Sequence, residues 1–211
     1  MPRPTTHSLL LLLFLVTPLL AQPPGPAAFD YYLLSLSWSP HHCTTHPSDH
    51  SPQCDGPRPY GFIVHGLWPN RNAGRHPQNC AGPRLDRARV SGDVREIMPS
   101  DELIKHEWET HGTCSGLSPD AYFTKVLTAW ANVTIPAEFR TPSRQVEFTP
   151  AALREKFASA NPSFVRGAFT VKSDGRFFQE IRVCLTKDLQ SRSCPDPGDT
   201  RNRSLIVRPV R

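Results

Sequence analysis

Apolar and polar positions divide the chain into strand-like and helix-like segments separated by polar loops. Behind a short proline-rich leader (Pro23 to Pro26), Phe29 to Ser39 is dense in aromatic and apolar residues and is ended by Pro40, which predicts a buried strand. His41 to Pro59 is polar with two cysteines and predicts a stapled loop. Gly61 to Leu67 predicts a second strand, halted by Pro69, and Asn70 to Ser91 another polar loop. Helical patterns follow. Ser100 with Asp101 caps a helix running to about Thr110. Ser118-Pro119 places a cap and a first-turn proline before the helical stripe Tyr122, Phe123, Val126, Leu127 and Trp130, and Thr149-Pro150 repeats the device before Leu153 and Phe157. Last comes a hairpin turning at Ser173-Asp174-Gly175. Its first strand begins at Ala168 to Val171; in its second, Phe177, Gln179, Ile181, Val183 and Leu185 alternate with Phe178, Glu180, Arg182 and Cys184. The predicted fold class is α+β, an antiparallel β-sheet core with helices packed on it.

At 211 residues the chain suits one domain with a sizeable core. Residues 1–21 are set apart from it: Arg3 precedes an apolar run from Leu9 to Leu20, and Ala21 offers a small residue at a cut. That layout predicts a secretory signal peptide, leaving residues 22–211 as the mature domain. The run is about a dozen residues, short of the roughly 20 that a spanning helix needs. Export agrees with six cysteines in no Cys-x-x-Cys spacing, which read as disulfides rather than a zinc cluster. Sequence does not choose among their many pairings; the simplest option joins nearest neighbours, Cys43–Cys54, Cys80–Cys114 and Cys184–Cys194. The net charge of +5 suits a polyanionic partner without demonstrating one.

Two histidine segments carry the candidate chemistry. In His106-Glu-Trp-Glu-Thr-His111, helical geometry puts Glu107 at about 100°, Thr110 at about 40° and His111 at about 140° from His106, so the four share one face, with Trp108 free to anchor in the core. Two imidazoles and a carboxylate on one face suit proton transfer or anion binding. A zinc-protease reading fails on spacing, because that motif needs histidines four apart. A Cys114–His111 thiol mechanism yields to the even cysteine count. His65 interrupts an apolar strand before Gly66. Alone it reads as a satisfied core histidine, although the glycine permits close backbone approach and Trp68 offers a surface for a base.

His65-Gly-Leu-Trp-Pro69 followed by His106-Glu-Trp-Glu-Thr-His-Gly-Thr-Cys114 resembles the two active-site segments of the T2 ribonucleases. Phe29 to Pro40 is similar to that family's first strand, nearest its bacterial members, and Arg182 to Lys187 to its C-terminal strand. The likeness implies a secreted, periplasmic or extracellular, endoribonuclease that needs neither metal nor cofactor. RNA would be cleaved through attack of the ribose 2′-OH, giving a 2′,3′-cyclic phosphate and then a 3′-phosphate. DNA, lacking that hydroxyl, is not cut. It implies His111 as general base, His65 as general acid, His106 as phosphate holder and Glu107 as stabiliser of the crowded intermediate.

The substrate-binding positions implied are Trp68, Asn70 and Thr110, and the matching disulfide pairs are again the nearest neighbours. The implied partner is RNA, with no membrane and a monomeric state. Three departures stand out. Thr110 occupies a position often held by lysine, so a neutral hydroxyl replaces a charge-assisted donor worth on the order of 3 kcal/mol. Asn70 replaces an aspartate found in some members, so no base preference carries over. Members often have one disulfide more than six cysteines permit. The sequons at Asn132 and Asn202 read as chance matches in a bacterial-type protein. The competing function is a catalytically weak RNA-binding or toxin-like protein on the same fold, with Thr110 as its mark; retention of His65 and His111 argues against it.

Overall fold

The computed structural model describes Met1 and residues 28–210; the expected leader, Met1 aside, lies outside the described residues. Six strands form one sheet: β1 (Tyr31–Trp38), β2 (Phe62–Asn70), β3 (Val146–Phe148), β4 (Phe169–Asp174), β5 (Phe177–Leu185) and β6 (Leu205–Val207). β1 lies between β2 and β5, antiparallel to both, and β4 folds back antiparallel on β5. The α+β expectation holds with one correction, that the sheet is mixed. β6 meets β5 in a single parallel pairing, Phe177 with Ile206, and carries β3 antiparallel on its other side. The chain returns to the start of β5 before entering β6, so the two strands run the same way.

Helices α1 (Ser39–Thr45) and α2 (Pro52–Asp55) occupy the segment predicted to be a loop, each with proline in its first turn, and the Cys43–Cys54 disulfide ties them together. Helix α3 (Gly92–Ile97) was not predicted, since its six residues are too few to show a period. The next three were. Helix α4 (Asp101–Thr110), α5 (Pro119–Ala131) and α6 (Pro150–Ala160) begin at Ser100, Ser118 and Thr149, whose side-chain oxygens accept from Leu103, Ala121 and Ala152 N–H. The remaining disulfides are Cys80–Cys114 and Cys184–Cys194, so the nearest-neighbour pairing is the one formed.

Two strand ends differ from expectation. β2 runs through Pro69 to Asn70, because β2 is the outer strand and a missing N–H on its open side costs no ladder bond. The hairpin turns at Gly175-Arg176, one residue later than predicted, with Gly175 at φ +54°.

Alternation gives the sheet two unlike faces. Tyr32, Leu34, Leu36 and Trp38 of β1 enter the main core with Val64 and Leu67 of β2 and Ile181 and Val183 of β5. Trp108, Tyr122 and Phe157 from α4, α5 and α6 close over that face. Burying each such side chain contributes about 1.5–3 kcal/mol. The opposite face presents Tyr31, Leu33, Ser35 and Ser37 of β1 beside Glu180, Arg182 and Cys184 of β5. The site is built on this second face.

Candidate active site

His65 reaches that face through a defect in the strand. Ser35 pairs with Gly66 and Leu36 with Val64, so His65 is an extra residue with no partner opposite, a β-bulge. Its Nδ1–H donates to Glu180 Oε1 at 2.9 Å, and its Nε2 lies 3.6 Å from Glu107 Oε1. β1 lies between the strands bearing His65 and Glu180, and neighbouring strands are about 4.8 Å apart. The two side chains therefore meet across β1, where Ser35 and Ser37 are small enough to leave room. Glu180 is buried, its Oε2 accepts from Arg182 Nε at 2.8 Å, and Lys172 Nζ of β4 stands 3.9 Å away.

The second segment departs from the single helical face expected for His106, Glu107, Thr110 and His111. Glu107 is wholly buried and His106 exposed, so the helix turns them to different surroundings. His111 lies past the end of α4 with φ −120° and ψ −46°. Gly112, the next residue, packs on Trp108: a Cβ there would come within 2.5 Å of the indole. The chain continues as a 3-10 turn from Gly112 to Ser115, tied to Cys80 through Cys114. Trp108 anchors in the core as expected, its indole N–H donating to Pro83 O at 2.9 Å.

Trp68 joins the two segments. Its Nε1–H donates to Glu107 Oε2 at 2.6 Å, and its ring centroid is 5.1 Å from those of both His65 and His111. The close approach that Gly66 permits is this contact. A Cβ there would lie 2.0 Å from Glu107 Oε2 and 2.3 Å from Trp68 Nε1. The Arg182 guanidinium stands 5.4 Å from the Trp68 centroid.

The structure thus gathers His65, Trp68, Glu107 and His111. His106 sits at the rim, its ring 6.4 Å from that of His111 and its Nδ1 3.5 Å from Thr110 Oγ1. Asn70 is buried farther along, with Nδ2 3.4 Å from the Tyr31 hydroxyl. An open groove of about 650 Å³ connects Asn70, Trp68 and His111 with Lys172 and Arg182. Sequence reasoning missed Glu180, Arg182 and Lys172. The available signal was the alternation in β5, which sets Glu180 and Arg182 on one face of the strand; that the β1 serines share this face follows only from the strand pairing.

Burial and neighbours tune these groups in opposite directions. Burial alone would push the His65 imidazole down, but the hydrogen bond it donates to Glu180 and the charges of Glu107 and Glu180 outweigh it and raise its pKa above 6.5. Burial, with His106 and His65 nearby, lowers His111 to about 4. Burial raises Glu107 to about 7 against the pull of His65 and the Trp68 N–H, and Glu107 Oε1 has no hydrogen-bond partner. Glu180, although burial opposes its charge, is held down to about 2 by His65, Arg182 and Lys172. At mildly acidic pH one histidine therefore carries a proton and the other does not. Among the described residues, potential metal ligands cluster only at His42, Asp49 and Cys54, whose sulfur is already in a disulfide.

Residues 29–194 match the model of the Ribonuclease T2 family. The chain belongs to that family. A ribonuclease of Aeromonas hydrophila is 32% identical over 197 residues, covering 87% of each chain. An RNase-related protein from Calystegia sepium shares the fold at a TM-score of 0.70 and 23% identity, over 86% of this chain and 98% of that one. RNase NT, solved in complex with 5′-AMP, superposes at 0.60 and 23% identity, over 87% and 99%. The protein is a T2-family endoribonuclease. The two segments that drew attention in its sequence meet around a single tryptophan.

Proposed function

We propose that this T2 ribonuclease cleaves single-stranded RNA by metal-independent acid–base catalysis between His111 and His65. The observation that carries the reading is that both imidazoles lie 5.1 Å from the Trp68 ring, in surroundings that raise the pKa of His65 and lower that of His111. Neutral His111 takes the proton of a ribose 2′-hydroxyl, whose oxygen attacks phosphorus. The bond from phosphorus to the 5′-oxygen breaks as protonated His65 gives its proton to the departing oxygen, leaving a 2′,3′-cyclic phosphate. Water then opens the cyclic ester to a 3′-phosphate, with the histidines exchanging roles.

Glu107 stands beside His65 with Oε1 unpaired, and a carboxyl raised to about 7 is available to donate to a phosphoryl oxygen as negative charge builds. His106 holds the phosphate from the rim, beside Thr110. Trp68 and Asn70 line the groove for the base, and the 5′-AMP bound to RNase NT accords with a nucleotide ligand. Lys105 does not replace the family lysine, because it pairs with Glu109 at 3.2 Å on the exposed side of α4. Arg182, in the groove, supplies the nearby cation.

Export and a periplasmic or extracellular location are supported by the three disulfides and the signal-like pattern of residues 1–21. The protein acts as a monomer away from membranes; among the described residues, no helix is long and apolar enough to cross one. Incubation of the mature protein with RNA and a matched DNA in EDTA tests the mechanism through the product ends. A 2′,3′-cyclic phosphate from RNA alone is expected. Loss of activity on chelation, or cleavage of the DNA, overturns it.

A further inference from the structure

Glu180 is a buried carboxylate that none of these steps uses. It is 1% exposed, so it does not touch substrate in the groove, and hiding a carboxylate is costly unless it is paired. Both of its oxygens are committed, one to His65 Nδ1 at 2.9 Å and the other to Arg182 Nε at 2.8 Å. Reaching His65 requires a bulge in β2 and two serines on the intervening strand. Three strands are thus arranged around one contact.

We propose that Glu180 is a positioning residue for His65, clamping the Nδ1 edge so that the protonated Nε2 edge stays turned toward Glu107, while Arg182 locks the carboxylate in place. The inference rests on the general-acid role of His65. A carboxylate on Nδ1 fixes the tautomer, restricts ring rotation and favours the charged imidazole that must donate. Other elements also face His65: Glu107 from α4, His111 beyond its end, Lys172 from β4 and Arg182 from β5. His41 and His42 of α1 and Asp49 share a cavity of about 280 Å³ with His65 and Glu180. Of the carboxylates, Glu107 lies farther off at 3.6 Å, so Glu180 makes the directed bond.

The test compares wild type, Glu180→Gln and His65→Ala on a dinucleotide RNA and on a nucleoside 3′-(p-nitrophenyl phosphate), whose phenolate departs without a proton. On RNA, Glu180→Gln is expected to lower kcat roughly 10- to 100-fold with KM little changed, as loss of an orienting partner does elsewhere. The alkaline limb of its kcat/KM profile moves down by about one pH unit. On the aryl ester, both variants approach wild-type rates. Equal loss on both substrates with an unmoved limb gives Glu180 a structural role only and overturns the proposal. Failure of the aryl ester to rescue His65→Ala instead overturns the general-acid reading beneath it. Arg182→Gln keeps the carboxylate and serves where Glu180→Gln does not fold. It frees the carboxylate from its lock, so kcat on RNA is expected to fall while the aryl ester approaches the wild-type rate; equal loss on both substrates counts against the clamp.

Discussion

His65 and His111 lean on the same indole, yet their surroundings push them apart. His65 stands on a bulged strand between two carboxylates, Glu180 in contact and Glu107 slightly farther off. His111 stands at the C-terminal end of α4, where the helix dipole favours a cation. Burial and two neighbouring imidazoles overrule the dipole and leave His111 neutral. The same residue type is favoured in its charged form in one place and its neutral form in the other, which is the basis for proposing one as donor and the other as acceptor. In His65 those neighbours come from another strand and a helix; in His111 they include His106, close by in sequence.

Removing the acceptor is the largest way to break this pairing. His111→Ala is expected to lower kcat/KM on RNA by roughly 10²- to 10⁴-fold. In the intact enzyme, activity should fall as pH drops through about 4, where His111 gains a proton, and again as pH rises through the elevated pKa of His65. The stability linkage of His111 has a definite sign. Its pKa falls from 6.5 unfolded to about 4 folded, so the folded state loses stability as pH falls through that window. The melting temperature of His111→Ala should therefore gain on wild type as pH is lowered from 7 to 4. A parallel decline of both proteins would contradict the depressed pKa.

A smaller change strikes the contact joining the two segments. Gly66→Ala drives a methyl group into the Glu107–Trp68 hydrogen bond, and the bulged strand must shift to relieve it. A loss of about 1–3 kcal/mol of stability is expected in denaturant unfolding, with reduced turnover. Unchanged stability and turnover would mean that the bulge yields without cost. The smallest effect expected is a gain. Thr110→Lys places a cation near His106, and kcat/KM on RNA should rise several-fold, with an upper bound on the order of 3 kcal/mol of barrier. If the rate is unchanged or falls, Arg182 and His106 already supply the charge that the threonine lacks.

Much of the fold was legible because its signals are local. Ser100, Ser118 and Thr149 mark helix starts through bonds to residues three positions on, and alternation along β1 and β5 marks strands. The two short helices around Cys43 and Cys54 escaped, since seven and four residues are too few to show a period. Pro69 misled because its effect depends on whether the strand is an outer one, which is a property of the sheet. The helical-face argument for His106 to His111 failed because α4 ends at Thr110, one residue short of His111, and leaves His106 exposed while Glu107 is buried.

The sequence by itself determined the α+β class, the principal helix caps, the two histidine segments and the family they resemble. Only the tertiary structure decided how those segments work together. It placed the Glu107 carboxylate beside His65, closed the Trp68 hydrogen bond over Gly66, and carried Glu180 across β1 to the imidazole. Protonation in a partly dry site depends on burial and on charges a few ångströms away, and those neighbours are set by strand order and register. A bulge of one residue, silent in the apolar pattern, is what turns His65 toward them.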